Sequence, residues 1–331
     1  MEYTDLGQTG LRVSVIGLGC GGPSRLGLSR GGSVREALRT VQHAIDLGIN
    51  FIDLAGPVYG TDHVVRGAIQ GRRDQVVLST KVALGPSIWP FEDSYTASRL
   101  SARAGQQISF VTSGRIIEDR LHASLRRLNT DYVDVLSLHD VTLGQFDAAL
   151  SRLFPTLLRL QEAGKIRKIG LTEAFWWDPT HRVLDRAVAA RQFDTLMVGF
   201  NFLNRSAGPI VRQAKRQGSG IVAMYVMRRA LCNQQNLQRA MDNLAQQGLI
   251  PREKGDAGLL MQLLKRQGLT LPEAALRFCR HELEPDVILT GTGSISHLEH
   301  NVAACQKERL PAALRSELDQ LFGHINCVTG G

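Results

Sequence analysis

Several features that mark particular classes of protein are missing from this 331-residue sequence. No apolar run approaches the roughly 18 residues that a bilayer-spanning helix needs. The first residues, 1–5, lack the basic region and apolar stretch of a signal peptide. The five cysteines form no C-x-x-C pair and no zinc spacing, and their odd number fits a reducing compartment. We therefore expect a cytoplasmic protein with no membrane partner.

Clustered positive charge and low-complexity tracts are also absent. The net charge is +8, but only seven of the 39 cationic residues are lysine and the arginines are dispersed. Because a nucleic-acid footprint needs a clustered stripe of charge, we expect no nucleic-acid partner and favour a basic cleft for a phosphate-bearing ligand. The 43% apolar content can bury a large core, and no break in composition divides the chain. We expect one domain, residues 1–331, of unknown oligomeric state.

What the sequence contains is a repeated alternation of short apolar strands and amphipathic helices. A predicted β-hairpin (3–12) precedes predicted strands at 13–19, 51–54, 75–81, 132–138, 168–171, 195–199, 221–225 and 287–289. Predicted helices follow from 33 to 48 and at 61–69, 113–128, 146–162, 179–190, 206–217 and 296–306. Strands with helical connections favour a parallel sheet covered on its outside, and eight such units predict a closed (β/α)₈ TIM barrel.

A doubly wound sheet is the alternative to a closed barrel for alternating strands and helices. A doubly wound dinucleotide-binding sheet would carry G-x-G-x-x-G after its first strand, whereas the glycines at 17–22 are one residue out of register. The predicted barrel has long loops after its third and seventh strands, at 83–112 and 231–282. Both loops follow strands, so both fall on the face where a barrel keeps its active site.

Four ionisable residues lie at the ends of consecutive predicted strands. Asp53 ends the second strand, with Tyr59 in the loop that follows it, Lys81 ends the third strand and His139 ends the fourth. In a barrel these ends meet at one mouth. A phenol is a poor acid at neutral pH unless a nearby ammonium lowers its pKa, and Lys81 can do this while Asp53 orients it. His139 can donate a hydrogen bond to a carbonyl oxygen, so the set suits protonation of a carbonyl during hydride transfer.

The sequence resembles the aldo-keto reductase superfamily along nearly its whole length. The matching segments are 3–14, 16–20, 50–53, 59–60, 79–81, 124–128, 131–134 and 138–139. By position, the resemblance implies Tyr59 as the general acid, with Lys81, Asp53 and His139 as its catalytic partners. It implies reversible reduction of an aldehyde or ketone, a small-molecule carbonyl substrate, and a nicotinamide cofactor bound without a separate Rossmann domain.

The resemblance also implies a cofactor site, and here the sequence departs from the family pattern. The cofactor-binding residues that we expect are Cys20, Thr172, Glu173, Met197, Tyr225, Met227, Arg228, Gly291, Thr292, Gly293, Ser294, His297 and Asn301. Thr172 and Glu173 replace the family's Ser-Asn pair, and Glu173 is expected to accept from the nicotinamide amide. Tyr225 is expected to stack on the nicotinamide, and Arg228 or Arg229 to pair with pyrophosphate. The glycine-rich segment before the last helix can present N–H groups to phosphate.

Two departures leave the function open between alternatives. Five residues separate Asp53 from Tyr59 where the family has four, so Tyr59 is the least secure member of the site. Gly293 and His297 occupy the family's cationic positions for a 2′-phosphate; we expect NADPH, with NADH as the alternative. Besides a carbonyl reductase, the alternatives are an NAD-dependent aldose dehydrogenase and a non-catalytic dinucleotide-binding sensor. Residues expected to wall the substrate pocket are Trp89, Phe91, Trp176 and Trp177.

Overall fold

Eight parallel strands close into a barrel, as the alternating pattern predicts. The computed structural model describes residues 1–56, 60–84, 112–328 and 330. The barrel strands are β3 (Ile16–Gly19), β4 (Phe51–Asp53), β5 (Val77–Ala83), β6 (Val133–Val141), β7 (Ile166–Glu173), β8 (Thr195–Gly199), β9 (Gly220–Met224) and β10 (Val287–Thr290). Each strand pairs with its neighbours in sequence, and β10 pairs with β3 to close the ring. The predicted (β/α)₈ TIM barrel is confirmed.

A β-hairpin covers the amino end of the barrel. Its strands are β1 (Tyr3–Asp5) and β2 (Arg12–Ser14), which pair antiparallel. The prediction of a single strand over 13–19 was therefore wrong, because Ser14 ends the hairpin and the barrel strand begins at Ile16. Hydrogen bonds from Ser14 Oγ to the Ile16 carbonyl and from Ser14 N to Asn50 Oδ1, both 2.7 Å, hold the chain at this break.

The helices surround the barrel, and several begin at a capping side chain. They are α1 (Val34–Asp46), α2 (Asp62–Ile69), α3 (Gly114–Leu128), α4 (Phe146–Glu162), α5 (Arg182–Ala190), α6 (Gly208–Arg216), α7 (Gln234–Gln246), α8 (Ala257–Arg266), α9 (Leu271–Glu282), α10 (Ile295–Cys305) and α11 (Ala312–Phe322). Ser33 caps α1 through a reciprocal pair with Glu36, in which Ser33 N donates to Glu36 Oε2 at 2.8 Å. The helix α11 was not predicted.

The barrel interior changes from apolar to polar along the strands. At the amino end, one buried cluster joins hairpin residues to side chains of six barrel strands: Leu6, Leu11, Val13, Phe51, Val77, Val135, Met197, Val222 and Val287. Because side chains alternate along a strand, Asp53 follows Phe51 on the same face and Lys81 follows Val77 through Ser79. The ionisable residues therefore lie toward the carboxyl-terminal mouth, above a packed apolar layer.

The two long loops differ in what the structure describes. After β9 the chain forms α7 and α8 before α9 returns to the barrel, so the predicted insertion is helical. Most of the loop after β5, residues 85–111, lies outside the described residues, as do Trp89 and Phe91. Over the described part of the chain, the helices are all too short or too polar to cross a bilayer.

Candidate active site

A buried ion pair between Asp53 and Lys81 forms the centre of the site. Lys81 Nζ lies 2.6 Å from each carboxylate oxygen of Asp53, and the two side chains are only 4% and 7% exposed. Ser79 Oγ also donates to Asp53 Oδ1 at 2.9 Å. The side chains meet because β4 and β5 are adjacent and Asp53 pairs in register with Ser79. The predicted pairing of these two residues is confirmed by this contact.

All three protons of the Lys81 ammonium have acceptors. In addition to Asp53, Lys81 Nζ donates to the Leu54 carbonyl at 2.9 Å. A neighbouring thiol, Cys20, is buried, and its pKa is raised by desolvation and further by the charge of Asp53. These three acceptors fix the position of the Lys81 ammonium, which is the condition for tuning an adjacent phenol.

His139 lies beside this pair on β6. Its register partner is Ala83, two residues beyond Lys81. Burial lowers the pKa of His139, Asp140 opposes this shift, and Lys81 adds to it. A lowered pKa keeps the imidazole neutral at pH 7, so one ring nitrogen carries a proton that can be donated to an oxygen. The structure brings Asp53, Lys81 and His139 together at one mouth, as the strand ends predict.

Tyr59 lies outside the described residues, so its role as the acid stays a prediction. The residues that flank the gap are described: Gly56 has φ +88° and Gly60 has φ +63°. Side chains with a Cβ rarely adopt these angles, so the two glycines let the chain turn at both ends of the segment that carries Tyr59.

Three expected cofactor residues on β7 and β8 are buried. Thr172 is 1% exposed, Glu173 is fully buried and Met197 is 6% exposed. Thr172 Oγ1 accepts from Asp140 N at 2.8 Å, and Met197 packs in the apolar cluster at the amino end of the barrel. Their contacts with a cofactor stay predictions.

Glu173 has partners within the protein that sequence reasoning missed. His181 Nδ1 lies 3.0 and 2.9 Å from the two carboxylate oxygens, and Gly199 N donates to Oε1 at 2.7 Å. Burial raises the pKa of Glu173, and the hydrogen bond from His181 opposes the shift. The predicted contact of Glu173 with a nicotinamide amide would require it to exchange these partners, so the observed geometry favours an internal role.

An aromatic layer connects this pair to Tyr225. Phe175 stacks on His181 with centroids 5.2 Å apart and meets Tyr225 edge-on at 5.3 Å. The same ring occupies the space into which a Cβ on Gly199 would project. Trp176 and Trp177 are half-buried with ring centroids 4.5 Å apart. The β7–β8 side of the mouth is therefore packed by aromatic rings.

Tyr225 directly follows β9 and is held by several contacts. Its φ is +65°, which is unusual for a residue other than glycine, and its carbonyl accepts from Asn201 Nδ2 at 3.1 Å. The Arg228 guanidinium lies 4.0 Å from the centre of the Tyr225 ring. Burial raises the pKa of the Tyr225 phenol, while Arg228 opposes this shift. Tyr225 and Arg228 therefore form one cation–π unit at the mouth.

The loop after β10 has the features of an anion site at a helix start. Ser294 caps α10 by accepting from His297 N at 3.3 Å, and Gly291 and Gly293 are exposed. A Cβ on Gly293 would lie 2.5 Å from Gly27 N, so only glycine permits this approach of the loop after β3. The other expected cofactor residues in this region are Met227, which is partly buried, Thr292 and Asn301, which are each 7% exposed, and His297, which is exposed.

The residues present fit a dinucleotide. Arg228 Nε is buried without a hydrogen-bond partner among the described residues. At the start of α10, the N–H groups of Ile295 and Ser296 donate to no acceptor among the described residues. A guanidinium donor after β9 and a helix N-terminus after the neighbouring strand β10 are complementary to the anionic oxygens of a pyrophosphate or phosphate.

Comparison with known proteins identifies the family. The model of the Aldo/keto reductase family matches residues 16–322. The chain belongs to this family. Its members are oxidoreductases that use nicotinamide cofactors.

Individual relatives cover almost the entire chain. L-galactose dehydrogenase of Arabidopsis thaliana is 29% identical over 92% of this chain and 88% of its own length. D-threo-aldose 1-dehydrogenase of a Pseudomonas species is 27% identical over 96% of this chain and 97% of its own length. A solved aldo-keto reductase from Bacillus halodurans, in its holo form, shares the fold with a TM-score of 0.68 and 23% identity, covering 97% of this chain and 96% of that chain.

Proposed function

We propose that this aldo-keto reductase interconverts an aldehyde or ketone and the corresponding alcohol, with Tyr59 as the proton donor to the carbonyl oxygen. The observation that carries the proposal is the buried Asp53–Lys81 ion pair beside His139 at the carboxyl-terminal mouth of the barrel. The Lys81 ammonium of this pair can stabilise the deprotonated form of a proton donor in the loop after Asp53. In the sequence, Tyr59 belongs to that loop.

Each residue of the site has a separate task in the proposed reaction. Lys81 stabilises the phenolate of Tyr59 by turning one N–H from Asp53 or Leu54 toward the phenol oxygen. Asp53 keeps the ammonium charged and in place. Neutral His139 donates a hydrogen bond to the carbonyl oxygen and orients it. The nicotinamide, when bound, supplies or accepts the hydride at the carbonyl carbon.

We assign cofactor binding to the β7–β10 side of the mouth. Tyr225 offers a ring face to the nicotinamide, Arg228 pairs with pyrophosphate, and Ser294 with the start of α10 holds a phosphate. We expect NADPH to bind more tightly than NADH because of the net charge of +8 and the frequency of NADPH in the family. A titration of the protein with both dinucleotides, followed by fluorescence, tests this preference. NADH binding at least about tenfold tighter than NADPH would overturn it.

The role of Tyr59 is tested by Tyr59→Phe. We expect kcat to fall by about 10²-fold or more, since general acid catalysis typically contributes about 10²- to 10⁴-fold, while the dinucleotide dissociation constant is kept. Tyr132→Phe is the matched control, because Tyr132 lies next to Arg73, whose guanidinium is 4.1 Å from its ring, and precedes β6 at the amino end of the barrel. Full activity of Tyr59→Phe would refute the assignment.

A second candidate function is oxidation of an aldose to a lactone by an NAD-dependent dehydrogenase. It is favoured by the two full-length relatives, whose names are those of sugar dehydrogenases. Oxidation of L-galactose and other aldoses with NAD⁺ and NADP⁺, measured beside reduction of aldehydes and ketones, separates the directions. Dinucleotide binding without turnover of any of these compounds would support the non-catalytic sensor instead.

A further inference from the structure

An irregularity in β6 follows directly after His139. The pairing of β6 with β7 shifts register between Leu138 and Val141, which places a bulge at His139 and Asp140. Asp140 has φ +49°, in the left-handed region, and its N–H donates to Thr172 Oγ1 at 2.8 Å instead of to a strand carbonyl. Bulges beside active sites re-aim side chains, so this feature calls for a specific explanation.

The bulge turns the Asp140 carboxylate into the mouth. In a regular strand, Asp140 and His139 would point to opposite faces. Here Asp140 Oδ2 lies 3.7 Å from His139 Nε2, and the Asp140 side chain is 30% exposed. The carboxylate also interacts electrostatically with the Tyr225 phenol on the β9 side. Asp140 therefore lies at the mouth beside the histidine of the proposed reaction.

The Asp140 carboxylate still has free hydrogen-bonding capacity. In the described part of the chain it has no hydrogen-bond donor, since the 3.7 Å separation from His139 Nε2 is too long for a hydrogen bond. The neighbouring carboxylates differ in this respect. Asp53 accepts from Lys81 and Ser79, and Glu173 accepts from Gly199 and contacts His181. Of these three described carboxylates, Asp140 is the one that is free to accept a hydrogen bond from a ligand.

We propose that Asp140 is a specificity-determining residue that accepts a hydrogen bond from a substrate hydroxyl next to the reacting carbon. The proposal rests on the proposed function, and it names the substrate class as hydroxylated carbonyl compounds such as aldoses. His139 holds the carbonyl oxygen, so a carboxylate within 3.7 Å of its Nε2 faces the atoms adjacent to that carbonyl. A substrate without the hydroxyl leaves a partly desolvated carboxylate unpaired, which disfavours its binding.

The test compares three aldehydes of equal chain length: propanal, 2-hydroxypropanal and glyceraldehyde. The wild-type protein and Asp140→Asn are assayed for kcat/KM with each aldehyde at a saturating concentration of NADPH or NADH. Asparagine tolerates left-handed φ and keeps the size of the side chain, so the bulge persists. Asp147→Asn on α4 is the matched control, because its side chain is 72% exposed. Thermal unfolding and dinucleotide binding verify that each variant is folded.

We expect the wild type to prefer both hydroxylated aldehydes over propanal and Asp140→Asn to reduce that preference by about 10- to 100-fold, the range of a charged hydrogen bond. The ratio is the readout because a general effect through His139 lowers all three rates together. Equal loss on the three aldehydes, or an unchanged ratio, would overturn the role of Asp140 while leaving the proposed function in place. Dinucleotide binding with no turnover of any aldehyde or aldose by the wild type would overturn both.

Discussion

Buried charged side chains have different kinds of partner on the two sides of the barrel mouth. On the β4–β6 side, Asp53 and Lys81 neutralise each other, and His139 is kept neutral beside them. On the β7–β9 side, the buried Glu173 carboxylate is held by His181 and Gly199. The charged groups of the β4–β6 side are those of the proposed reaction, whereas the carboxylate of the β7–β9 side binds neighbouring groups of the protein itself.

This difference has a physical reason. Proton transfer needs groups within reach of the reacting oxygen, so the Asp53–Lys81 pair has to lie at the mouth despite the cost of removing both charges from water. A flat nicotinamide needs a rigid surface more than it needs charge. The contacts of Phe175 with His181 and with Tyr225 provide rigidity. Variants that remove charge should therefore affect chemistry on the first side and packing on the second.

The largest expected effect is that of Lys81→Met on the β4–β6 side. It leaves the buried Asp53 carboxylate without its cation, and breaking a buried pair costs about 3–5 kcal/mol in the free energy of unfolding. We also expect kcat to fall by orders of magnitude with dinucleotide binding largely kept. Urea denaturation measures the first quantity and steady-state kinetics the second.

The matched control for Lys81→Met is Arg186→Met, which breaks the surface pair with Asp147. Because those side chains are 43% and 72% exposed, we expect this variant to lose less than about 1 kcal/mol in the free energy of unfolding. The double variant Asp53→Asn/Lys81→Met should recover part of the lost stability because no unpaired charge remains. If the single variant were no less stable than the control, the ion pair would not have the importance given to it here.

The next effect is that of Glu173→Leu on the β7–β9 side. It leaves His181 Nδ1 and Gly199 N without an acceptor, and each unsatisfied buried group costs about 1–3 kcal/mol. Glu173→Gln keeps an acceptor for Gly199 N and should therefore lose less in the free energy of unfolding than Glu173→Leu. If Glu173 is an internal residue, Glu173→Gln leaves the dinucleotide dissociation constant within about twofold of the wild type. A much weaker affinity with unchanged stability would instead support the contact with the nicotinamide amide.

The sequence was sufficient to predict the barrel and one side of its mouth. Helix α4 and strand β8 have the predicted bounds, since the hydrophobic period and the neighbouring turn residues both define their ends. Asp53, Lys81 and His139 meet because consecutive parallel strands end at the same edge. The strand-end pattern carries this information without any knowledge of side-chain contacts.

The other side could not be predicted because its contacts depend on positions that no local pattern marks. The pairing of Glu173 with His181 depends on the left-handed conformation of His181, φ +63°, which turns its ring back toward β7. Likewise, alternation along β6 assigns Asp140 to the outer face, and only the register shift against β7 reverses this. Both Glu173 and Asp140 are carboxylates at or next to the end of a strand. In a sequence, a carboxylate in that position is therefore the feature that indicates a residue of this kind.

A smaller effect concerns the pH dependence of His139. Because burial lowers its pKa, the folded protein binds a proton at His139 less readily than the unfolded chain does. The contribution of His139 to the free energy of unfolding should therefore be fully present above about pH 6.5. It should decrease as the pH falls toward the folded pKa, by at most about 1.4 kcal/mol per pH unit. His139→Gln should lose this slope in urea denaturation between pH 5 and pH 8.

The same histidine reports on its charged neighbours. Asp140 and Asp53 raise the pKa of His139, and Lys81 lowers it. In an NMR titration of the imidazole, Asp140→Asn should therefore move the His139 pKa further down, whereas Asp147→Asn should leave it unchanged. A His139 pKa that does not move in Asp140→Asn would contradict the position of the Asp140 carboxylate at the mouth.

The smallest expected effect is that of Thr172→Val, which acts where the two sides meet. Thr172 Oγ1 on β7 accepts the N–H of Asp140 on β6, so valine removes this acceptor at nearly constant volume. We expect a loss of about 1 kcal/mol in the free energy of unfolding and a weaker preference for 2-hydroxypropanal over propanal, since the bulge is no longer held. Thr172→Ser keeps the hydroxyl and should retain the preference. If serine and valine variants behave alike, the hydrogen bond does not fix Asp140, and the left-handed turn itself must be sufficient to keep the carboxylate at the mouth.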